Sequence, residues 1–222
     1  MLHNKALKRD LARVAFSICV GFSGYGIVRS LLYCVPAPLN AALYLIGENY
    51  MELVVPSQEF KSAFERFYED FAQNDVENAE YYLEGKVDFS KYVQRLSDEA
   101  TGINLRDGYV PCSHFWLIDS TRSILGAIRV RHNIDNDFLS LEGGHIGYDI
   151  APSYRRKGNG KLMLRLALSK ASALGIERAL LTADEDNFAS RGVIEANGGE
   201  FEKIVIGKVF PNPLARYWVS CK

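Results

Sequence analysis

From residue 57 onward the apolar positions follow two periods in turn. Phe60, Phe64, Phe67 and Phe71 recur at i, i+4, i+7 and i+11. That is one face of a helix with Ser57 as N-cap, ending before Asn74-Asp75. Phe60 rather than Glu stands three residues after Ser57, so no capping box forms. Tyr92, Val93 and Leu96 mark the inward side of a second helix, from Ser90 to about Ala100. His114–Ile118 and Ile124–His132 alternate with period two around the turn Asp119-Ser120-Thr121-Arg122-Ser123. They predict an antiparallel pair with Ile124, Gly126, Ile128, Val130 and His132 on one face. After the polar loop Asn133–Asp137, Leu139–Ile150 reads as a long central strand. Gly143 and Gly144 interrupt it, which signals a bulge or a close backbone approach. A helix follows from Lys161 to about Leu174, with Leu164, Leu168 and Ala171 on one ridge and Gly175 as its cap. Ala179–Ala183 is a buried strand, and Asn187 opens a helix that ends at Gly198-Gly199. Phe201–Ile206 and Tyr217–Val219 are the last strands, separated by Pro211-Asn212-Pro213. With Leu53–Val55 as the first strand, the order is β-α-α-β-β-β-α-β-α-β-β, an α/β arrangement.

The first fifty residues break the pattern. Val14–Val28 and Ser30–Gly47 are uncharged, but Gly21, Gly24, Gly26, Pro36 and Pro38 cut them and Arg29 divides them. Neither is a clean apolar run of about 20 residues. This segment carries five Lys/Arg and two Asp/Glu, a net +3, against 21 and 25, a net −4, for the remainder. We divide the chain into an N-terminal extension, 1–50, and a domain, 51–222, with Met51-Glu52-Leu53-Val54-Val55-Pro56 as a natural opening. The extension is open to three readings: a dispensable addition, a membrane-associated segment, or an extra folded element. The 222 residues suffice for one domain with a sizeable core. Near-balanced charge gives no argument for nucleic acid. Cys19, Cys34, Cys112 and Cys221 have neither metal-ligand spacing nor a disulfide framework, and read as reduced thiols. His3, His114, His132 and His145 form no cluster, so no metal site is expected.

Candidate chemistry concentrates at Arg155-Arg156-Lys157-Gly158-Asn159-Gly160. A strand, a basic glycine-containing turn and a helix start make a site for an anion, because the first helical N–H groups are unpaired and carry partial positive charge. A Walker A loop is excluded: Arg155 stands where it needs glycine, and Leu162 follows Gly160-Lys161. A dinucleotide fingerprint is excluded by Met163. The pattern Arg/Gln-x-x-Gly-x-Gly/Ala resembles the pyrophosphate loop of the GNAT N-acetyltransferase superfamily. Ile146-Gly147-Tyr148-Asp149-Ile150-Ala151-Pro152 resembles that family's fourth strand. Asn187 to Gly199 resembles its helix Asn-x-x-Ser-x-x-x-Ile-Glu-x-x-Gly. The resemblance covers about residues 51–222 and is clearest from Gly143 to Phe201.

The resemblance implies a mixed, mostly antiparallel central sheet flanked by helices. It also implies a cytoplasmic enzyme that moves an acetyl group from acetyl-coenzyme A, without a metal, to a primary amine of a small molecule, peptide or protein. The N–H groups of Arg156, Gly158 and Gly160 would surround the pyrophosphate. Arg155, Arg156 and Lys157 would add charge, and Asn159 and Lys161 complete the loop. Asp149 and Ile150 would offer backbone groups to the pantetheine arm and an N–H to the oxyanion, and Asn187 would bond the same arm while capping its helix. Many relatives carry a glutamate base two residues before the Gly-Tyr pair; His145 stands there, with Glu142 as the alternative base. A tyrosine often serves as acid seven residues after the helix asparagine; Ile194 stands there, so no dedicated acid is expected. Glu77–Phe89, with Tyr81, Tyr82 and Phe89, either helps form the acceptor pocket or simply packs. The slight negative charge of the domain mildly favours a cationic acceptor. The rival reading is a non-catalytic acyl-coenzyme A binder or sensor. Neither nucleic acid nor a membrane is expected as partner, and a homodimer stays open.

Overall fold

The computed structural model describes residues 44–46, 49–209 and 212–222. Most of the expected extension, including His3, Cys19 and Cys34, lies outside the described residues, as does Pro211.

The phenylalanine stripe forms one face of helix α1 (Lys61–Asn74), entered through a 3-10 turn at Gln58–Phe60. All four rings are buried. Ser57 does not cap with its side chain, whose Oγ instead donates to Glu59 at 3.2 Å. Three short turns follow: α2 (Val76–Ala79), a 3-10 turn at Glu80–Tyr82, and α3 (Leu83–Val87). Helix α4 (Phe89–Thr101) starts where the Asp88 side chain accepts from Lys91 N and stops at left-handed Gly102. Phe64 is the centre of this layer, its ring lying 5.2–5.6 Å from those of Phe89, Tyr92 and Trp116. Each fully buried ring contributes on the order of 2–3 kcal/mol by removal from water.

The strands form two antiparallel sheets. The first has the order β1 (Tyr44–Ile46), β2 (Asn49–Val54), β3 (Cys112–Ile118), β4 (Ile124–Arg131), β5 (Ile146–Ile150). The second has the order β6 (Arg178–Asp184), β8 (Pro213–Ser220), β7 (Glu200–Ile206). β2 begins ahead of Met51, which stands opposite Tyr44 of β1. Helices α1 and α4 cover one face of the first sheet. Helix α5 (Asn159–Ala173) covers the other, where Met163, Leu164 and Ala167 are buried against β4, β6 and β8 residues. Helix α6 (Phe188–Glu195) packs beside α5.

Two expectations are corrected. Ile124 does not share a face with Ile128 and Val130. Leu117 pairs with Gly126 but Ile118 with Ile124, so an irregularity at Leu125 sends Ile124 to the aromatic layer and Leu125 to the α5 side. A one-residue insertion reverses faces because the strand period is two. The long strand Leu139–Ile150 is also corrected: its first half, Leu139–Gly143, is a single π-helical turn. Asn136 Oδ1 accepts from Leu139 N at 2.8 Å and starts that turn, and Gly144, at φ 60°, ends it. Buried Arg216 of β8 holds it from below, donating to the Ser140 and Leu141 carbonyls at 2.6 and 2.8 Å.

Candidate active site

The basic turn is built from two left-handed residues, Arg156 (φ 60°) and Gly158 (φ 83°). A side chain added at Gly158 would meet nothing within 4 Å, so glycine serves the backbone there and not the packing. The turn presents the first N–H groups of α5, which have no partner inside the helix. At Gly160 an added Cβ would approach Val193 Cγ2 to 3.2 Å, which lets α5 and α6 sit close.

The rest of the turn is tied down. Asp70 of α1 accepts from Ser153 N at 2.8 Å and from Ser153 Oγ at 2.9 Å. Arg155 lies over Phe71, donates to the Ile150 carbonyl at 2.9 Å and pairs with Asp75. Lys157 Nζ donates to the Ser153 carbonyl at 2.8 Å, and buried Asn159 to the Tyr154 carbonyl at 2.9 Å. The Arg156 and Lys161 side chains make no hydrogen bond or ion pair with the described residues.

Beside the turn the two sheets part. His145 N donates to Leu180 O at 2.7 Å, and Leu180 N donates back to His145 Nδ1 at 2.9 Å. Past that latch no main-chain bond joins β5 to β6 among the described residues. Bonds from Arg131 N to His145 O (2.8 Å) and from Ala151 N to Leu125 O (3.0 Å) set the β4–β5 ladder phase. By alternation, Gly147 and Asp149 direct their main-chain groups to β4, while Tyr148 and Ile150 direct theirs into the gap. Asn187 caps α6 by accepting from Ser190 N at 3.0 Å, and the Tyr148 hydroxyl donates to Ser190 O at 3.3 Å.

On the helical side of the first sheet lies a cavity of about 480 Å³ between β3, β4, α4 and the turns around Tyr82. His114, Arg129 and Gly147 stand opposite one another across β3, β4 and β5, so they share this face. His114 Nε2 lies 2.7 Å from Glu99 Oε2. Burial pulls the imidazole below its ordinary range despite that partner. Burial alone would raise the Glu99 carboxyl, but the His114 bond and the Arg95 charge outweigh it and hold it low. The neutral ring therefore donates to the carboxylate. Tyr82 OH donates to Asp149 Oδ2 at 2.9 Å, 4.0 Å from Arg129.

Residues 59–200 match the family model of the acetyltransferase (GNAT) domain, well over half the chain. The chain belongs to the GNAT acetyltransferase family. Its fold is shared by Mycobacterium smegmatis RimJ, in complex with CoA-disulfide (15% identity, 77% of this chain and 82% of that one, TM-score 0.58). The ribosomal-protein-S5-alanine acetyltransferase of Vibrio fischeri is similar (16%, 81% and 97%, 0.54). So is a chimera of spermidine N-acetyltransferase SpeG from Vibrio cholerae and hSSAT (14%, 77% and 95%, 0.53). No curated protein matches the sequence.

In this acyltransferase the two base candidates sit in structural bonds. His145 is buried, its Nδ1 accepts from Leu180, and burial and then the Arg131 charge lower its pKa. Glu142 is 3% exposed, and its carboxylate accepts from Lys208 N (2.6 Å) and Val209 N (3.1 Å), ordering the chain after β7. Neither lines the cavity. Ile194 is a core residue, 1% exposed. The acetyltransferase instead gathers His114, Glu99, Arg129 and Tyr82 around the cavity, with Asp149 bonded to the Tyr82 hydroxyl. His114 and Arg129 face each other only through the irregularity at Leu125: counted from the Ile118–Ile124 pair, the turn alone would set His114 opposite Ile128. Glu99 and Tyr82 come from helices whose docking carries no local signal.

Proposed function

We propose that the protein transfers an acetyl group from acetyl-coenzyme A to a primary amine, in the cytoplasm where that cosubstrate is found. The turn Arg156–Gly160, opening α5 beside the gap between the sheets, is the observation that carries this reading. N–H groups there suit the pyrophosphate, with exposed Arg156 and Lys161 as its cations. Arg155, Lys157 and Asn159 shape the loop from behind. Tyr148 N–H and Ile150 N–H, facing the gap, suit the pantetheine arm and the charge that develops on the thioester oxygen, and Asn187 lies at the far wall. The amine enters from the cavity side; its nitrogen bonds to the acetyl carbon, the C–S bond breaks, the coenzyme leaves as thiolate, and the amine proton passes to water or a basic side chain. Among the described residues no helix is long and apolar enough to cross a membrane.

Gly160→Asp tests the loop. The carboxylate would occupy the helix start that the pyrophosphate needs, and thermal stabilisation by coenzyme A should vanish while the unliganded protein still folds. Stabilisation equal to wild type sinks the assignment. Release of thiol with any member of an amine panel separates the enzyme from a non-catalytic coenzyme binder.

A further inference from the structure

Resting on the cavity as the acceptor site, we propose that the acceptor is a small amine that carries its own anion, a carboxylate or a phosphate, held by Arg129 with support from Arg131. Among the described residues three carboxylates line the cavity, those of Glu80, Glu84 and Glu99. Glu84 and Glu99 are both taken by Arg95, and Glu99 also by His114. Arg106 stands 4.0 Å from Glu84. Arg129 is likewise 4.0 Å from a carboxylate, that of Asp149, and Arg131 has no acidic partner among the described residues. They are two residues apart on β4 and so project to the same face.

Arg129 is partly open to the cavity, with 37% of its side chain exposed, and its guanidinium makes no hydrogen bond with the described residues. The nearest carboxylate oxygen, Asp149 Oδ2, is 4.0 Å away. Arg131 uses one nitrogen on the Gly143 and Gly144 carbonyls, at 2.9 and 3.0 Å, and has no acidic partner. Burial, then the neighbouring Arg129 charge, press its pKa down to about 10. Two adjacent guanidinium groups, with one carboxylate 4.0 Å away and none hydrogen-bonded to them, fit a planar or tetrahedral anion that accepts paired N–H bonds. Gly147 is part of the same device: an added Cβ would meet the Arg129 guanidinium at 2.8–2.9 Å, so glycine leaves room for it to lie over β5. An anion seated there places a nearby amine beside Asp149 and the strand that borders the gap. Arg129 and Arg131 thus set a positive end to a cavity whose lining also carries Glu80, Glu84 and Glu99. The cavity volume, about 480 Å³, suits a molecule of amino-acid to dipeptide size.

The test uses matched acceptors with the full chain and acetyl-coenzyme A: phenylalanine against its amide and phenethylamine, phosphoethanolamine against ethanolamine, and spermidine as a polycation. Thiol release gives kcat/KM, and calorimetry on the coenzyme A-saturated protein gives affinity. The anionic member should lead its neutral partner by at least about 10-fold, and Arg129→Gln should bring that ratio close to one, the usual size for a lost charge-assisted bond. Arg129→Lys should restore part of it. Unchanged stabilisation of the variants by coenzyme A shows that they fold. The better of the carboxylate and phosphate arms names the anion. Equal or better use of neutral amines or spermidine overturns the proposal, as does a preference that survives Arg129→Gln. If anionic amines bind through Arg129 and no amine releases thiol, the transferase reading falls and the anion site stands. If they bind no better than neutral partners, the anion site falls whatever the turnover.

Discussion

Gly144 shows how much a single residue can hold at the junction of the sheets. It has φ 60°, and a Cβ built on it would lie 2.5 Å from the Leu180 carbonyl oxygen, a backbone atom that cannot swing aside. Gly158 has a similar φ, 83°, but open space around it. Gly144→Ala should therefore cost about 2–3 kcal/mol, roughly 5–10 °C in thermal midpoint, and Gly158→Ala only its left-handed strain of about 1 kcal/mol. Thermal melts of the two variants check the ranking; equal losses, or a harmless Gly144→Ala, would show that the sheets adjust at the latch. The close approach at Gly143-Gly144 was legible in sequence because glycine within a strand-like run has few other uses. What His145 and Glu142 do was not legible. Their identities suit proton transfer, and only the positions of Leu180 N and Lys208 N reveal that both act as acceptors for backbone.

At the scale of elements, the basic turn proposed to hold the pyrophosphate is tied to helix α1, some 80 residues earlier in the chain. Asp70 sits near the C-terminal end of α1, where a carboxylate is poorly placed for the helix dipole, yet it accepts two bonds from Ser153. The likeness of the turn to a phosphate loop can be read from six adjacent residues, 155–160; its anchoring cannot, since Asp70 and Asp75 have no sequence relation to it. Asp70→Ala should leave α1 intact, because its buried face is elsewhere, and should weaken coenzyme A binding by about 3- to 10-fold through loss of preorganisation. Calorimetric titration checks this, and an unaltered dissociation constant would mean that the turn holds its shape unaided. The same reasoning explains the misread strand at 139–150. Its apolar residues fit period two, but Asn136 as a cap, Gly144 as a stop and Arg216, 76 residues after the Ser140 carbonyl it bonds, outweigh that local preference.

Among the described residues two antiparallel sheets are joined at His145 and Leu180, and that makes the junction sensitive to acid. Nδ1 accepts from Leu180 N only while it carries no proton. Burial lowers the His145 pKa below its ordinary 6.5, Arg131 lowers it further, and Asp135 opposes them weakly. Between the folded and unfolded values the unfolded chain binds more protons, so stability rises with pH across that window. The contribution is complete above about pH 6.5 and is lost as pH falls from there through the depressed folded value. His114 and His132 are shifted in the same direction, His114 by burial, with the Arg129 and Arg95 charges adding and Glu99 opposing, and His132 by burial alone. They share the slope, so the junction must be isolated by substitution. Asn at position 145 offers a carbonyl oxygen to Leu180 N without titrating. His145→Asn should lower the thermal midpoint modestly at pH 7.5 and flatten its fall between pH 7 and pH 5, whereas His145→Ala, lacking any acceptor, should lose stability throughout. Melting curves for the three proteins across that range decide it: parallel pH profiles for wild type and His145→Asn would show that the latch does not carry the acid sensitivity.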